Sequence, residues 1–79
     1  MRVFVKLIAT YQKFLPAGTA GNVIEIEVPR EATVSQILSR FGVPLDDTSV
    51  VVLNGLTVDL NTPVSEGDTV SAFSAIAGG

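Results

Sequence analysis

Polar and apolar positions change rhythm several times along the chain, and each change marks an element. From Arg2 to Ala9 the sequence RVFVKLIA is rich in β-branched and aromatic residues and reads as a strand. Val3, Val5, Leu7 and Ala9 share one face, with Arg2, Phe4, Lys6 and Ile8 on the other. Both faces are largely apolar, which predicts a central strand covered on one side and partly on the other. Val23 to Val28 alternates cleanly, with Ile24, Ile26 and Val28 turned inward and Glu25 and Glu27 turned to water. This is a half-buried strand antiparallel to the first, with its glutamates expected opposite Lys6 and Arg2. Between the two strands, Tyr11, Phe14 and Leu15 fall at the spacing of one short helical turn, followed by a loop PAGTAG.

The helical period occurs once, over Thr33 to Phe41. Val34, Ile37, Leu38 and Phe41 form a single apolar stripe. Thr33 and Gln36 have the spacing of a capping box, Gly42 suits a left-handed C-cap, and Pro44 stops the helix. After a polar loop holding Asp46 and Asp47, Val50 to Leu53 is a continuous apolar strand. Asn54-Gly55 is a hairpin turn, because both positions need positive φ. Leu56 to Val58 pairs back, a Glu66-Gly67-Asp68 turn follows, and Thr69 to Phe73 is the last strand. The order β-β-α-β-β-β with one helix predicts an α+β fold. One helix covers one face of a mixed four- to five-stranded sheet, and the first and last strands lie parallel in the middle, the β-grasp arrangement. A single domain over residues 1–73 and a flexible tail over 74–79 are expected.

Composition narrows the chemistry. The 79 residues contain neither Cys nor His. No disulfide, thiolate metal site, Cys–His pair or Ser–His–Asp triad can be built. Eight acidic residues against five basic ones give a net charge of −3, a poor match for nucleic acid. No apolar run is long enough to span a bilayer. Arg2 and the apolar residues after it mimic a secretion signal, but Lys6 interrupts them and no cleavage region follows, so a cytoplasmic protein is expected. Asp59, Asn61, Ser65 and Asp68 resemble a calcium loop only superficially. Pro63 and Val64 occupy its fifth and sixth positions and no glutamate stands at the twelfth, so no metal site is expected.

The chain ends in Ala75-Ile76-Ala77-Gly78-Gly79. Glycine has no Cβ, so such a segment can thread a narrow channel and present an unhindered carboxylate. Gly-Gly by itself is a weak signal, and a frayed terminus is the simpler reading. Phe73, at the end of the last strand, is either a core residue or an aromatic anchor for a partner.

Taken together, VFVKLIAT, VPREATVSQIL, VVVLNGLTVDLNTPVSEGDTVSAF and the final Gly-Gly resemble the small ubiquitin-like sulfur carriers of the MoaD/ThiS family over essentially the whole chain. The resemblance implies a carrier without catalytic residues or bound cofactors of its own. An E1-like adenylyltransferase would use ATP to adenylate the Gly79 carboxylate, and a sulfurtransferase would supply the sulfur that makes a thiocarboxylate. The resemblance also implies that Gly78, Ala77, Ile76 and Ala75 enter a partner's channel, while Phe73 and, more weakly, Leu56 contact its surface. The insertion Tyr11 to Gly21 resembles the small subunit of molybdopterin synthase, which makes the large subunit of that synthase the expected acceptor. Thiazole synthase in thiamine synthesis remains an alternative. A protein modifier conjugated through Gly79 and a plain β-grasp interaction module also stay open.

Overall fold

A computed structural model describes residues 1–75. Five strands form one mixed sheet: β1 (Arg2–Leu7), β2 (Val23–Glu27), β3 (Ser49–Leu53), β4 (Leu56–Thr57) and β5 (Thr69–Ser74). Their spatial order is β2-β1-β5-β3-β4. β1 and β5 run parallel side by side, with Val5 opposite Val70 and Leu7 opposite Ala72. β2 pairs antiparallel with β1, and β3 antiparallel with β5. One helix, α1 (Val34–Ser39), lies on one face. This is the ubiquitin-like β-grasp.

The core lies between α1 and the sheet. Val34, Ile37 and Leu38 of α1 meet Val3, Val5 and Leu7 of β1, Val51 of β3, and Val70 and Ala72 of β5, all buried. Burying each such aliphatic side chain contributes about 1.5–3 kcal/mol, which is how so short a helix is held. Its start is fixed by the capping box. Thr33 Oγ1 accepts from the N–H of Gln36 at 3.3 Å, and Gln36 Oε1 accepts from the N–H of Thr33 at 2.9 Å.

Several boundaries differ from the pattern-based expectation. α1 ends at Ser39, because the N–H groups of Arg40, Phe41 and Gly42 bond three residues back, to Ile37, Leu38 and Ser39. The last turn tightens instead of continuing the α-ladder. Gly42 then takes the left-handed conformation, with φ 76°. β1 stops at Leu7. Ala9, expected to point inward, is exposed with φ 53° and opens a 3-10 helix over Ala9–Phe14, the short helical turn read from Tyr11 and Phe14. β2 ends at Glu27 and β4 at Thr57, while β5 extends to Ser74. In the β1–β2 register, Arg2 stands opposite Glu27, but Lys6 stands opposite Val23 and Phe4 opposite Glu25. Arg2 therefore pairs with both glutamates, at 3.1 Å from Glu25 and 2.9 Å from Glu27, and the Met1 ammonium lies 3.6 Å from Glu27 as well. The Arg2 guanidinium hydrogen bond draws the Glu27 carboxyl below its ordinary range.

The hairpin turn has positive φ at both central residues, Asn54 at 51° and Gly55 at 88°. The Asn54 side chain reaches beyond the hairpin. Its Nδ2 donates to Asp68 Oδ1 and its Oδ1 accepts from the N–H of Thr69, both at 2.9 Å. The turn before β5 is thereby tied to the β3–β4 hairpin.

Candidate functional site: the end of β5 and the helix-free sheet face

β5 delivers the chain out of the middle of the sheet. At that end, Ile8 donates its N–H to Ala72 O at 3.1 Å, extending the β1–β5 pairing by one bond. One residue past β5, the N–H of Ala75 donates to Thr48 O at 2.6 Å. Thr48 is itself held by Asp46, whose Oδ1 accepts from the Thr48 N–H at 2.8 Å and from its hydroxyl at 2.6 Å. These two bonds, the hydroxyl's first, hold the Asp46 carboxyl below its ordinary range. Asp46 is thus a local cap for Thr48.

Tyr11 braces the same corner. Its hydroxyl lies 2.7 Å from Ser49 Oγ, and Ser49 Oγ donates to Pro44 O at 3.1 Å. The Tyr11 and Phe14 rings pack edge to face with centroids 6.0 Å apart. The first long loop, the 44–49 loop and the end of β5 therefore form one bracket around the point where the tail begins.

Alternation along β5 puts Val70 and Ala72 on the helix side and Thr69, Ser71 and Phe73 on the other. Phe73 faces Val50 across β3, and the continued β1–β5 register places Ile8 on its other side. The next row holds Val23, Lys6, Ser71 and Val52, and the one after it Phe4 beside Thr69. Phe4 is 36% and Val23 39% exposed. No element of the described residues covers this face. Its apolar residues are most continuous at the tail root, around Phe73, Ile8 and Val50, and Lys6, Ser71, Thr69 and Glu25 break it further along the sheet.

Leu56 does not belong to it. Leu56 pairs with Leu53, and Leu53 with Val70, so Leu56 lies on the helix side of the sheet, 72% exposed at the hairpin. Phe73 and Leu56, both singled out from sequence, sit on opposite faces. Phe4, Val23, Val50 and Val52 were not singled out, although the two apolar faces of the first strand and the unbroken run Val50 to Leu53 carried the signal. Ala75 is exposed at the tail root. Ile76, Ala77, Gly78 and Gly79 lie outside the described residues. Among the described residues no cluster of carboxylates could hold a metal ion, and no helix is long and apolar enough to cross a membrane.

A model of the family described as Mut7-C ubiquitin matches residues 1–77. The chain belongs to the Mut7-C ubiquitin family. This agrees with the β-grasp sheet and with the ubiquitin-like resemblance read from the sequence. No curated protein matches the sequence. Among solved structures, this Mut7-C ubiquitin chain is similar to SAMP1 from Haloferax volcanii, small archaeal modifier protein 1, with a TM-score of 0.77 at 22% identity, covering 100% of both chains. It is also similar to a putative molybdopterin converting factor, subunit 1, from Pyrococcus furiosus, with a TM-score of 0.71 at 24% identity over 95% of this chain and 98% of that one. A complex of subunits 1 and 2 of the molybdopterin-converting factor from Helicobacter pylori matches with a TM-score of 0.63 at 19% identity, covering 100% of both chains. At these identities the likeness establishes the fold that this Mut7-C ubiquitin chain shares with them.

Proposed function

We propose that this protein is a ubiquitin-like sulfur carrier that works through Gly79. The observation that carries the reading is the exit of the chain: a central strand, β5, leads from a braced corner into a segment whose sequence ends in Gly78-Gly79. In the proposed cycle, an E1-like adenylyltransferase transfers AMP from ATP to the Gly79 carboxylate and releases pyrophosphate. The outer sulfur of a cysteine persulfide on the sulfurtransferase attacks the acyl carbon and AMP leaves, giving an acyl disulfide. A second partner thiol then cleaves its S–S bond, forming a disulfide with the sulfurtransferase cysteine and leaving the thiocarboxylate on Gly79. The chain contributes no general acid or base, consistent with its lack of His and Cys. Gly78, Ala77, Ile76 and Ala75 enter the partner's channel, with Gly78 giving the clearance that a Cβ would remove.

Docking uses the face bearing Phe73, with Val50, Val52 and Ile8 around it. Molybdopterin synthesis is the preferred destination of the sulfur, with the synthase large subunit as acceptor. The insertion between β1 and β2 and the likeness to the Pyrococcus protein support that choice. Conjugation to proteins is the second reading, favoured by the likeness to small archaeal modifier protein 1. Both readings place the protein in the cytoplasm, where ATP-dependent activation occurs.

The test is the intact mass of the protein from its own host, with the C-terminal peptide analysed separately. One sulfur in place of one oxygen at Gly79 establishes the carrier. An isopeptide between Gly79 and a lysine establishes the modifier. An unmodified mass, together with no ATP–pyrophosphate exchange on adding activating enzymes, overturns both and leaves an interaction module.

A further inference from the structure

At the end of the sheet away from the tail root, the segment after β2 and the flank of α1 enclose an open cleft of about 390 Å³. That size falls among ligand-holding clefts, roughly 300–1,000 Å³. Its floor is apolar: Val28, Ala32 and Ile37 are 5%, 5% and 1% exposed. Its rim carries Arg30, Glu31 and Arg40. Ten positions apart in sequence, the two arginines are brought to one opening by the turn over Pro29–Ala32, closed by the Ala32 N–H donating to Pro29 O at 3.3 Å.

The charge of this rim differs from that of the whole chain. The protein carries −3, yet here two guanidinium groups face one carboxylate. The nearby Glu27 carboxylate does not neutralise them, because Arg2 holds it on the opposite face of the sheet. Arg40 is already positioned, its Nη1 donating to Glu27 O at 2.7 Å, which leaves its remaining N–H groups for a ligand. Arg30 makes no ion pair among the described residues. Glu31 sits in the left-handed region, φ 67°, at a turn position that glycine fills without strain. Strain of this kind concentrates at functional positions.

We propose that this cleft is a second docking site, taking a short partner peptide in which an aliphatic side chain is flanked by carboxylates. The aliphatic group fills the Val28–Ala32–Ile37 floor. The carboxylates meet the forked donors of Arg30 and Arg40, a geometry that suits carboxylates. The cleft adjoins Val28, which exchanges backbone hydrogen bonds with Met1 at the start of β1. The tail root adjoins the end of β1, about 16 Å further along the strand at about 3.3 Å per residue. A peptide held here leaves the Phe73 face and the tail free, so one partner can be tethered while another receives the chain's end. The proposal does not depend on what happens at Gly79.

The test titrates the ¹⁵N-labelled full chain with a capped pentapeptide, aspartyl-valyl-aspartyl-leucyl-aspartate, and with the version in which lysine replaces each aspartate. The expected result is amide shifts confined to residues 28–32 and 36–40, a Kd near 1 mM or tighter for the acidic peptide, and none for the basic one. Raising the salt concentration weakens binding as the charges are screened. R30E, at an exposed position that the fold does not use, lowers affinity at least fivefold with an unchanged spectrum elsewhere. Deleting residues 76–79 leaves binding as it was. Shifts on the Phe73 face, equal response to both peptides, no effect of R30E, or no shifts at 5 mM peptide would each overturn the proposal.

Discussion

The N–H of Ala75 bonds to the carbonyl of Thr48 at 2.6 Å, so the first residue past β5 is anchored by the loop that precedes β3. Thr48 is in turn clamped twice by one oxygen of Asp46. This makes the geometry at the root of the tail depend on a carboxylate with three strands of sequence between it and Ala75.

That dependence gives the first prediction. The Asp46 carboxyl is held below its ordinary value, 3.8, by the Thr48 hydroxyl and N–H. A depressed folded-state pKa means the clamp is complete above the ordinary value and is lost as the pH falls below it. The Ala75 amide proton shift, followed by NMR, should step in that range. In D46N the step should vanish and Ala75 amide exchange should quicken several-fold. An Ala75 shift that ignores both pH and D46N would show that Thr48 holds its position unaided.

The second prediction separates the two faces of the sheet. On the proposed carrier reading, F73A should weaken binding to the activating enzyme by about 2 kcal/mol or more, because Phe73 is a large aromatic group on the middle strand of the uncovered face, beside the tail root. L56A, on the helix side, should stay within about 0.5 kcal/mol of the parent. Calorimetry with the activating enzyme and ATP distinguishes the pair. Equal losses would mean that the partner wraps around the edge of the sheet.

For the core, L38A should lower stability by about 2–5 kcal/mol in urea unfolding, since Leu38 is fully buried between α1 and the sheet. T33A should cost about 1 kcal/mol by dismantling the capping box on a helix with little length to spare.

The fourth prediction concerns Glu31. Its left-handed backbone costs a side-chain-bearing residue about 1–2 kcal/mol. E31G should therefore raise the melting temperature, and E31V should lower it. A Cβ is not sterically required in that turn, so a neutral result for E31G would mean that the Glu31 side chain compensates its own strain.

Much of this was legible in the sequence because the signals were local. Thr33 and Gln36 announced the capping box, and Asn54-Gly55 the hairpin, since each device is built from residues within three positions. The alternation of β1 and β2 gave the antiparallel pair, and the single crossover helix gave the parallel β1–β5 arrangement. Register was harder. Lys6 was expected opposite a glutamate and meets Val23, because the strand ends fix the pairing and the sequence does not mark them. Strand parity determined that Phe73 and Leu56 diverge, but parity becomes usable only when the register linking Leu56 to Leu53 and Leu53 to Val70 is known. The cleft was invisible for a similar reason, since Arg30 and Arg40 meet only through the turn and the helix flank.

Phe4 at the beginning of the chain pairs with Thr69 near its end, and β5 lies between β1 and β3. The middle of the sheet is therefore missing until residues 69–74 have been made. Closing the loop between β1 and β5 costs chain entropy before the contact rewards it, which places this topology among the slower folders of its size. A chain arrested before β5 would expose the facing edges of β1 and β3, which is an invitation to aggregate. Synthesis itself thus acts as a checkpoint: the residues that follow β5 reach a partner only on a molecule whose sheet can already be closed.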